Sequence, residues 1–168
     1  LPNPADLPTA ATQQECVAEI SGFEIEGQTV IGDVYVDANF SVLDTQDPDG
    51  RNFPSIPERQ RSVWATWRPT DSVFNGFSFG AGVRYAGENQ SNGTAFLPAN
   101  GFAPTPVQVN TDGYTLVDAL IGYNWRSTAF TLNLRNIFQE EYYGTCLARG
   151  DCFPGEERTI VARVTHSF

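Results

Sequence analysis

The sequence predicts an all-β fold, an antiparallel up-and-down meander of about seven strands, and three observations lead there. Apolar and polar residues alternate with period 2 in segment after segment, the spacing of side chains on the two faces of a strand. These segments run to roughly 9–11 residues, the length a tilted strand needs to cross a bilayer. Gly and Pro number 15 and 11 and aromatics reach 12%, against 18% charged residues. That mix suits strands and turns and argues against disorder or a coiled coil.

The strands follow in chain order. Residues 17–28 set Phe23 and Ile25 against Glu24 and Glu26, a weak alternation. Residues 33–42 are clearer, with Val34, Val36, Ala38, Phe40 and Val42 opposed to Asp33, Asp37, Asn39 and Ser41. Residues 61–68 place Val63, Ala65 and Trp67 on one face. In 77–86, Phe77, Phe79, Ala81, Val83 and Tyr85 alternate with Ser78, Gly80, Gly82 and Arg84. Next come Val117, Ala119, Ile121, Tyr123 and Trp125, whose polar set is broken by Leu116 and Leu120. Phe130, Leu132 and Leu134 alternate with Thr131, Asn133 and Arg135. The last strand runs to the C-terminus, with Ile160, Ala162, Val164, His166 and Phe168 facing one way and Thr159, Val161, Arg163, Thr165 and Ser167 the other.

The connections alternate short and long: 27–32, 46–60, 69–76, 87–113, 126–129 and 140–157. An outer-membrane barrel has this rhythm, with tight turns at one rim and long loops at the other. Tyr85, Tyr123, Trp125, Trp67, Phe74, Phe77 and Phe168 sit near strand ends, where an aromatic girdle would meet headgroups. The polar, Pro- and Gly-rich stretch 88–113 is expected to be an exposed loop. No apolar run is long enough for a membrane helix and no signal peptide is visible, neither of which speaks against strands crossing a membrane.

Charge and chemistry exclude several functions. The formal charge is −10, all ten basic residues are Arg, and residues 1–60 hold eleven acids against two arginines. Nucleic acid is therefore not expected as a partner, since no basic stripe exists to displace phosphate counterions. No Gly-x-Ser-x-Gly elbow, Walker loop or dinucleotide fingerprint occurs. Glu24 and Glu26 share a strand face and read as solvated lumen residues; His166, beside the terminal Phe, reads as an interface residue. Three cysteines, Cys16, Cys146 and Cys152, allow at most one internal disulfide, and with no Cys-x-x-Cys and one His a metal site is not expected. The chain reads as a binding or transport protein and not an enzyme, with no cofactor.

At this point a family resemblance emerges. YTLVDALIGY at 114–123, LNLRNIFQEEY at 132–142, then Cys146, Cys152, Gly155, Glu157, Arg158, Thr159 and the terminal Phe168 resemble the C-terminal end of TonB-dependent outer-membrane receptors, most closely the ferric-siderophore (hydroxamate) branch. The stretch 21–26 is similar to that family's Arg-Gly-Phe-Glu-Leu-Glu strand, and Pro54 and Pro57 to its Pro-x-x-Pro. His166 departs from the aromatic usual two residues before the final Phe, and Cys16 has no family counterpart.

The resemblance implies that 1–168 is the C-terminal part of a receptor barrel, about seven strands of a plugged barrel of about 22, with the plug and the earlier strands outside this sequence. A chain without Met fits a piece of something longer. It further implies ferric siderophore as transported ligand, the TonB complex as partner through an N-terminal region outside this sequence, outer-membrane lipid around the wall, and a barrel-assembly machinery that reads Phe168. The location implied is the outer membrane of a Gram-negative bacterium. Phe96, Phe102, Tyr142, Tyr143, Arg149 and Phe153 are the candidate loop contacts to the ligand, and Cys146 and Cys152 the expected disulfide, with Gly150 between them to let the chain turn. Two other readings stand beside this one: the same fold with cobalamin, haem or oligosaccharide as cargo, and a soluble β-sandwich binding domain.

Overall fold

The computed structural model describes residues 19–47, 50–71 and 73–168. Cys16 and the first residues of the expected 17–28 strand lie outside them. Eleven strands are described: β1 (Glu19–Ile31), β2 (Val34–Gln46), β3 (Arg59–Trp67), β4 (Phe77–Ala86), β5 (Asn89–Phe96), β6 (Pro104–Thr111), β7 (Tyr114–Trp125), β8 (Thr128–Arg135), β9 (Tyr143–Cys146), β10 (Cys152–Pro154) and β11 (Thr159–His166). Seven form one antiparallel sheet in the order β1-β2-β3-β4-β7-β8-β11, while β5–β6 and β9–β10 are separate hairpins inside two of the long connections. Each expected strand is present, and every neighbour in the sheet is the next one along the meander.

Register carries the alternation of each strand across the whole sheet. Ile25, Phe40, Arg61, Tyr85 and Thr115 pair in one row. Another row runs Val34, Trp67, Phe79, Ile121, Leu132 and Ala162. Since directly paired residues share a face, one side of the sheet is almost wholly apolar. The opposite side carries Glu24, Glu26, Asp37, Asn39, Ser62, Arg84, Asp118, Asn133 and Arg163, interrupted by apolar and aromatic residues that include Val30, Tyr35, Trp64, Leu116, Leu120 and Val161. The apolar face is uncovered: Phe23 is 57% exposed, Ile160 61% and Val164 65%. A continuous apolar surface of this extent needs a nonaqueous neighbour. Among the described residues few side chains are buried, and Leu116, Cys146, Asn89, Ser91, Thr111 and Asn136 are buried at the loop end of the sheet.

At the other end the turns are tight. Gly32 (φ 58°) and Arg126 (φ 52°) take left-handed backbone in the two-residue turns 32–33 and 126–127. Asp33 ties neighbouring turns together: its carbonyl accepts the Arg68 N–H at 2.9 Å and its carboxylate accepts the Thr70 N–H and hydroxyl at 3.2 and 3.1 Å. Aromatic rings gather here on the apolar face, with Trp67 stacked on Phe79 at 5.6 Å, Phe77 on Phe79 at 5.8 Å and Phe77 against Tyr123 at 4.5 Å. Arg126 lies over the Trp125 ring, and Phe168 meets His166 edge-on. Tyr85 stands near the opposite strand end, toward the loops, with the Arg61 guanidinium 4.4 Å above its ring.

On the polar face the Trp64 indole lies across Gly80 and Gly82, where a Cβ at Gly80 would come 2.6 Å from the ring. Its Nε1–H donates to the Thr66 hydroxyl at 2.8 Å. These two glycines are therefore the floor for an aromatic ring and not a dinucleotide loop.

One expectation is corrected. The stretch 88–113 is not simply an exposed loop: 89–96 and 104–111 pair as a hairpin, and Asn89, Ser91 and Thr111 are buried. Its Pro and Gly content hid the alternation, and its inward face sets Asn89, Ser91 and Thr111, which bond to a neighbouring loop, beside Val107 and Val109.

Candidate ligand-facing site

The loop end and the polar face beneath it form the candidate site. On that face Arg84 Nε donates to Asp118 Oδ2 at 2.6 Å and Arg84 Nη2 to Oδ1 at 3.3 Å, a charge-assisted, two-point pair across β4 and β7. Asp118 Oδ1 also accepts the Asn136 N–H at 2.9 Å. The chain leaving β8 is thus held to the polar face. It then folds over that face, because Tyr142 packs its ring 4.0 Å from Tyr114, the partner of Ala86 on the polar side.

Above this base the three long connections join. The Asn89 amide donates to Gly144 O at 3.0 Å, and the Thr145 hydroxyl donates to Asn89 Oδ1 at 3.1 Å while lying 2.9 Å from the Ser55 hydroxyl. Thr111 Oγ1 accepts the Cys146 N–H at 2.8 Å and Ser91 Oγ the Ala148 N–H at 3.1 Å. Ser55 N–H donates to Gln90 O at 3.1 Å. Hydroxyls and amides of the β5–β6 hairpin therefore satisfy the backbone of the β9 segment, as buried polar groups require. Gly93 allows the close approach: a Cβ there would come 2.7 Å from Ala148 Cβ.

Cys146 and Cys152 stand opposite each other in the β9–β10 register and form a disulfide. Gly150, at φ 101°, makes the turn between them. The loop pairing implied by the sequence is therefore present.

The ligand-contact candidates divide. Phe96 (62% exposed) and Phe102 (64%) flank the tip of the β5–β6 hairpin, and Tyr143 and Phe153 are also exposed. Arg149 is exposed and paired with Asp151. Tyr142 differs in its partners: besides the tilted ring contact with Tyr114, its phenol oxygen accepts the Glu156 N–H at 3.3 Å, and Gly155 sits against its ring. Its ring serves the loop's own packing. Sequence reasoning missed a polar recess lined by Asn52, Glu58, Glu88, Gln90, Gln108 and Asn110, enclosing about 100 Å³. Its amides form a chain of their own, Gln108 Nε2 donating to Gln90 Oε1 at 2.7 Å and to Asn110 Oδ1 at 3.0 Å. The only sequence signal was an excess of Asn and Gln in two of the loops.

The model of the "TonB dependent receptor-like, beta-barrel" family matches residues 2–137, most of the chain. The chain belongs to this family. It is 30% identical over 160 residues to the "Ferrichrome outer membrane transporter/phage receptor" of Escherichia coli K12, a match covering 88% of this chain and 20% of that protein. It is 26% identical over 164 residues to the "Ferrioxamine B receptor" of Salmonella typhimurium, covering 89% and 21%. Among solved structures it superposes on the ferric-catecholate import receptor Fiu of E. coli K12 with a TM-score of 0.73 at 25% identity, over 91% of this chain and 21% of that one. The pyoverdine receptor FpvA of Pseudomonas aeruginosa gives the same TM-score at 19% identity, which shows a shared fold. The chain spans about a fifth of the length of the relatives it matches.

Family membership assigns the two faces. The seven strands are a stretch of a TonB-dependent receptor barrel in the outer membrane, its apolar side toward lipid and its polar side toward the lumen. A soluble sandwich would have buried the face that this sheet exposes.

Proposed function

We propose that this chain forms the last strands of a receptor barrel that takes up ferric siderophores, hydroxamates foremost, in a TonB-dependent step. The observation that carries the reading is the likeness of nearly nine-tenths of the chain to receptors named for ferrichrome and ferrioxamine. The joined loops over the lumen face support it. A ferric chelate is too large and too scarce for passive diffusion through a pore, so a high-affinity surface must be coupled to work. In this reading Phe96, Phe102, Tyr143, Arg149 and Phe153 supply ligand contacts from the cap, and Tyr142 holds the loop that carries three of them. Residues 1–168 contribute wall and cap; a plug from elsewhere in the receptor receives the pull of TonB. Phe168 serves as the signal read by the assembly machinery.

The test uses the full-length receptor in a strain lacking other siderophore receptors, supplied with ⁵⁵Fe-loaded ferrichrome or ferrioxamine B. Saturable uptake that disappears on deleting TonB is expected. Failure to take up either hydroxamate, or uptake indifferent to TonB, would overturn the reading.

A further inference from the structure

The connection between β8 and β11 carries Tyr142, Tyr143, Arg149 and Phe153, and it is also the piece on which the other two long connections dock. Its placement converges on one side chain. Asn136 is 1% exposed and takes left-handed backbone at φ 48°. Its Nδ2 donates to Glu140 O at 2.9 Å and to Glu156 O at 3.0 Å, while its Oδ1 accepts the Glu140 N–H at 2.8 Å. One amide thus closes the outgoing leg of the loop on itself and ties it to the returning leg. The Asn136 N–H anchors the whole to Asp118, which is held by Arg84 on the lumen face. The next residue continues the attachment, Ile137 N–H donating to Val117 O at 2.9 Å.

Few residue types can do this. Asp has the length but no hydrogens to give the two carbonyls, and Gln has the groups on a longer stem. Asn also tolerates the left-handed region better than most residues. We propose that Asn136, anchored by Asp118 and Arg84, is the positioning residue that fixes the last loop over the lumen and so sets the receptor's affinity for its cargo. This rests on the uptake function proposed above. Binding to a loop already in place loses less ordering entropy than binding to one that must first be immobilised. Removing the amide should therefore raise Kd and leave the translocation step, which in the proposed reading runs through the plug, largely as it was.

The test uses the full-length receptor with Cys16→Ser, and the variant Asn136→Gly, which keeps the left-handed turn and removes the amide. For ⁵⁵Fe-ferrichrome and ⁵⁵Fe-ferrioxamine B, Kd and the KM of uptake are expected to rise about tenfold with maximal velocity per folded receptor within about twofold. A second readout needs no ligand: spin labels at Arg149→Cys and Gln60→Cys should give a narrow distance distribution that Asn136→Gly broadens. An unchanged Kd overturns the proposal, whether or not the distances broaden, and so does an unchanged distance distribution. If neither hydroxamate binds the unmodified receptor, the uptake reading fails while the distances still decide whether Asn136 positions the loop. Should Asn136→Gly not assemble, Asp118→Asn keeps an acceptor for the Asn136 N–H and loses the charge on Arg84's partner. It is expected to raise Kd about threefold, and no change would overturn the proposal.

Discussion

The wall and the cap of this chain are built on opposite principles. The seven-stranded wall has no apolar core of its own: its backbone is satisfied strand to strand, and its apolar side chains face outward, where lipid completes them. The cap has little apolar surface to bury and is joined by polar contacts, with Thr145, Ser91, Thr111 and Asn89 meeting backbone or one another and a disulfide closing β9–β10. The wall therefore depends on its surroundings and on closure into a barrel. The cap depends on specific pairs of groups, each of which can be removed singly.

The largest expected effect comes from separating the wall from the rest of a barrel. Residues 1–168 expressed alone should aggregate or oligomerise in detergent, since β1 and β11 each present an edge unpaired among the described residues. A protease-resistant, heat-modifiable monomer would show that the sheet closes on itself and that the contrast with a self-sufficient fold is false.

Within the full receptor, the two faces of the wall can be set against each other. Leu132→Arg puts a charge on the lipid face and should cost about 2–4 kcal/mol of stability, whereas Asn133→Arg enters the lumen and should cost much less. Equal losses in folded, heat-modifiable receptor would mean that the faces are misassigned.

A smaller and more local effect is expected in the cap. Replacing Cys146 and Cys152 by Ser should loosen the cap by about 2 kcal/mol on the chain-entropy account of so short a loop. Protease nicking near Arg149 should accelerate while the thermal transition of the barrel stays put. A barrel transition lowered by as much as the cap would erase the distinction between the two regions.

The same contrast explains what the sequence made legible. Period-2 alternation is a property of each strand alone, so the seven strands, their faces and the short-long rhythm of connections could be read directly. Motif residues added the disulfide and the family. The β5–β6 hairpin stayed hidden because its inner face mixes Val107 and Val109 with Asn89, Ser91 and Thr111, which serve another loop's backbone, so that its apolar stripe is only two residues long. The packing of Tyr142 against Tyr114, 28 positions earlier in the chain, was hidden as well, because aromatic character in a loop does not reveal its partner. Asn136 and Asp118 were visible as letters of a motif, but the hydrogen bond between them required the register of β7 on β8 to be known.

The uptake reading requires the capped end to face outside the cell, where the chelate arrives, and the tight-turn end to face the periplasm, the orientation in which outer-membrane barrels carry their long loops and short turns. This orientation is tested most directly by labelling intact cells with a membrane-impermeant maleimide, using full-length receptor with Cys16→Ser and one added cysteine. Ala99→Cys, at the tip of the β5–β6 hairpin, should label in intact cells, and Ser127→Cys, in the turn between β7 and β8, should label only after the cells are broken. Labelling of Ser127→Cys in intact cells with Ala99→Cys protected would contradict the account.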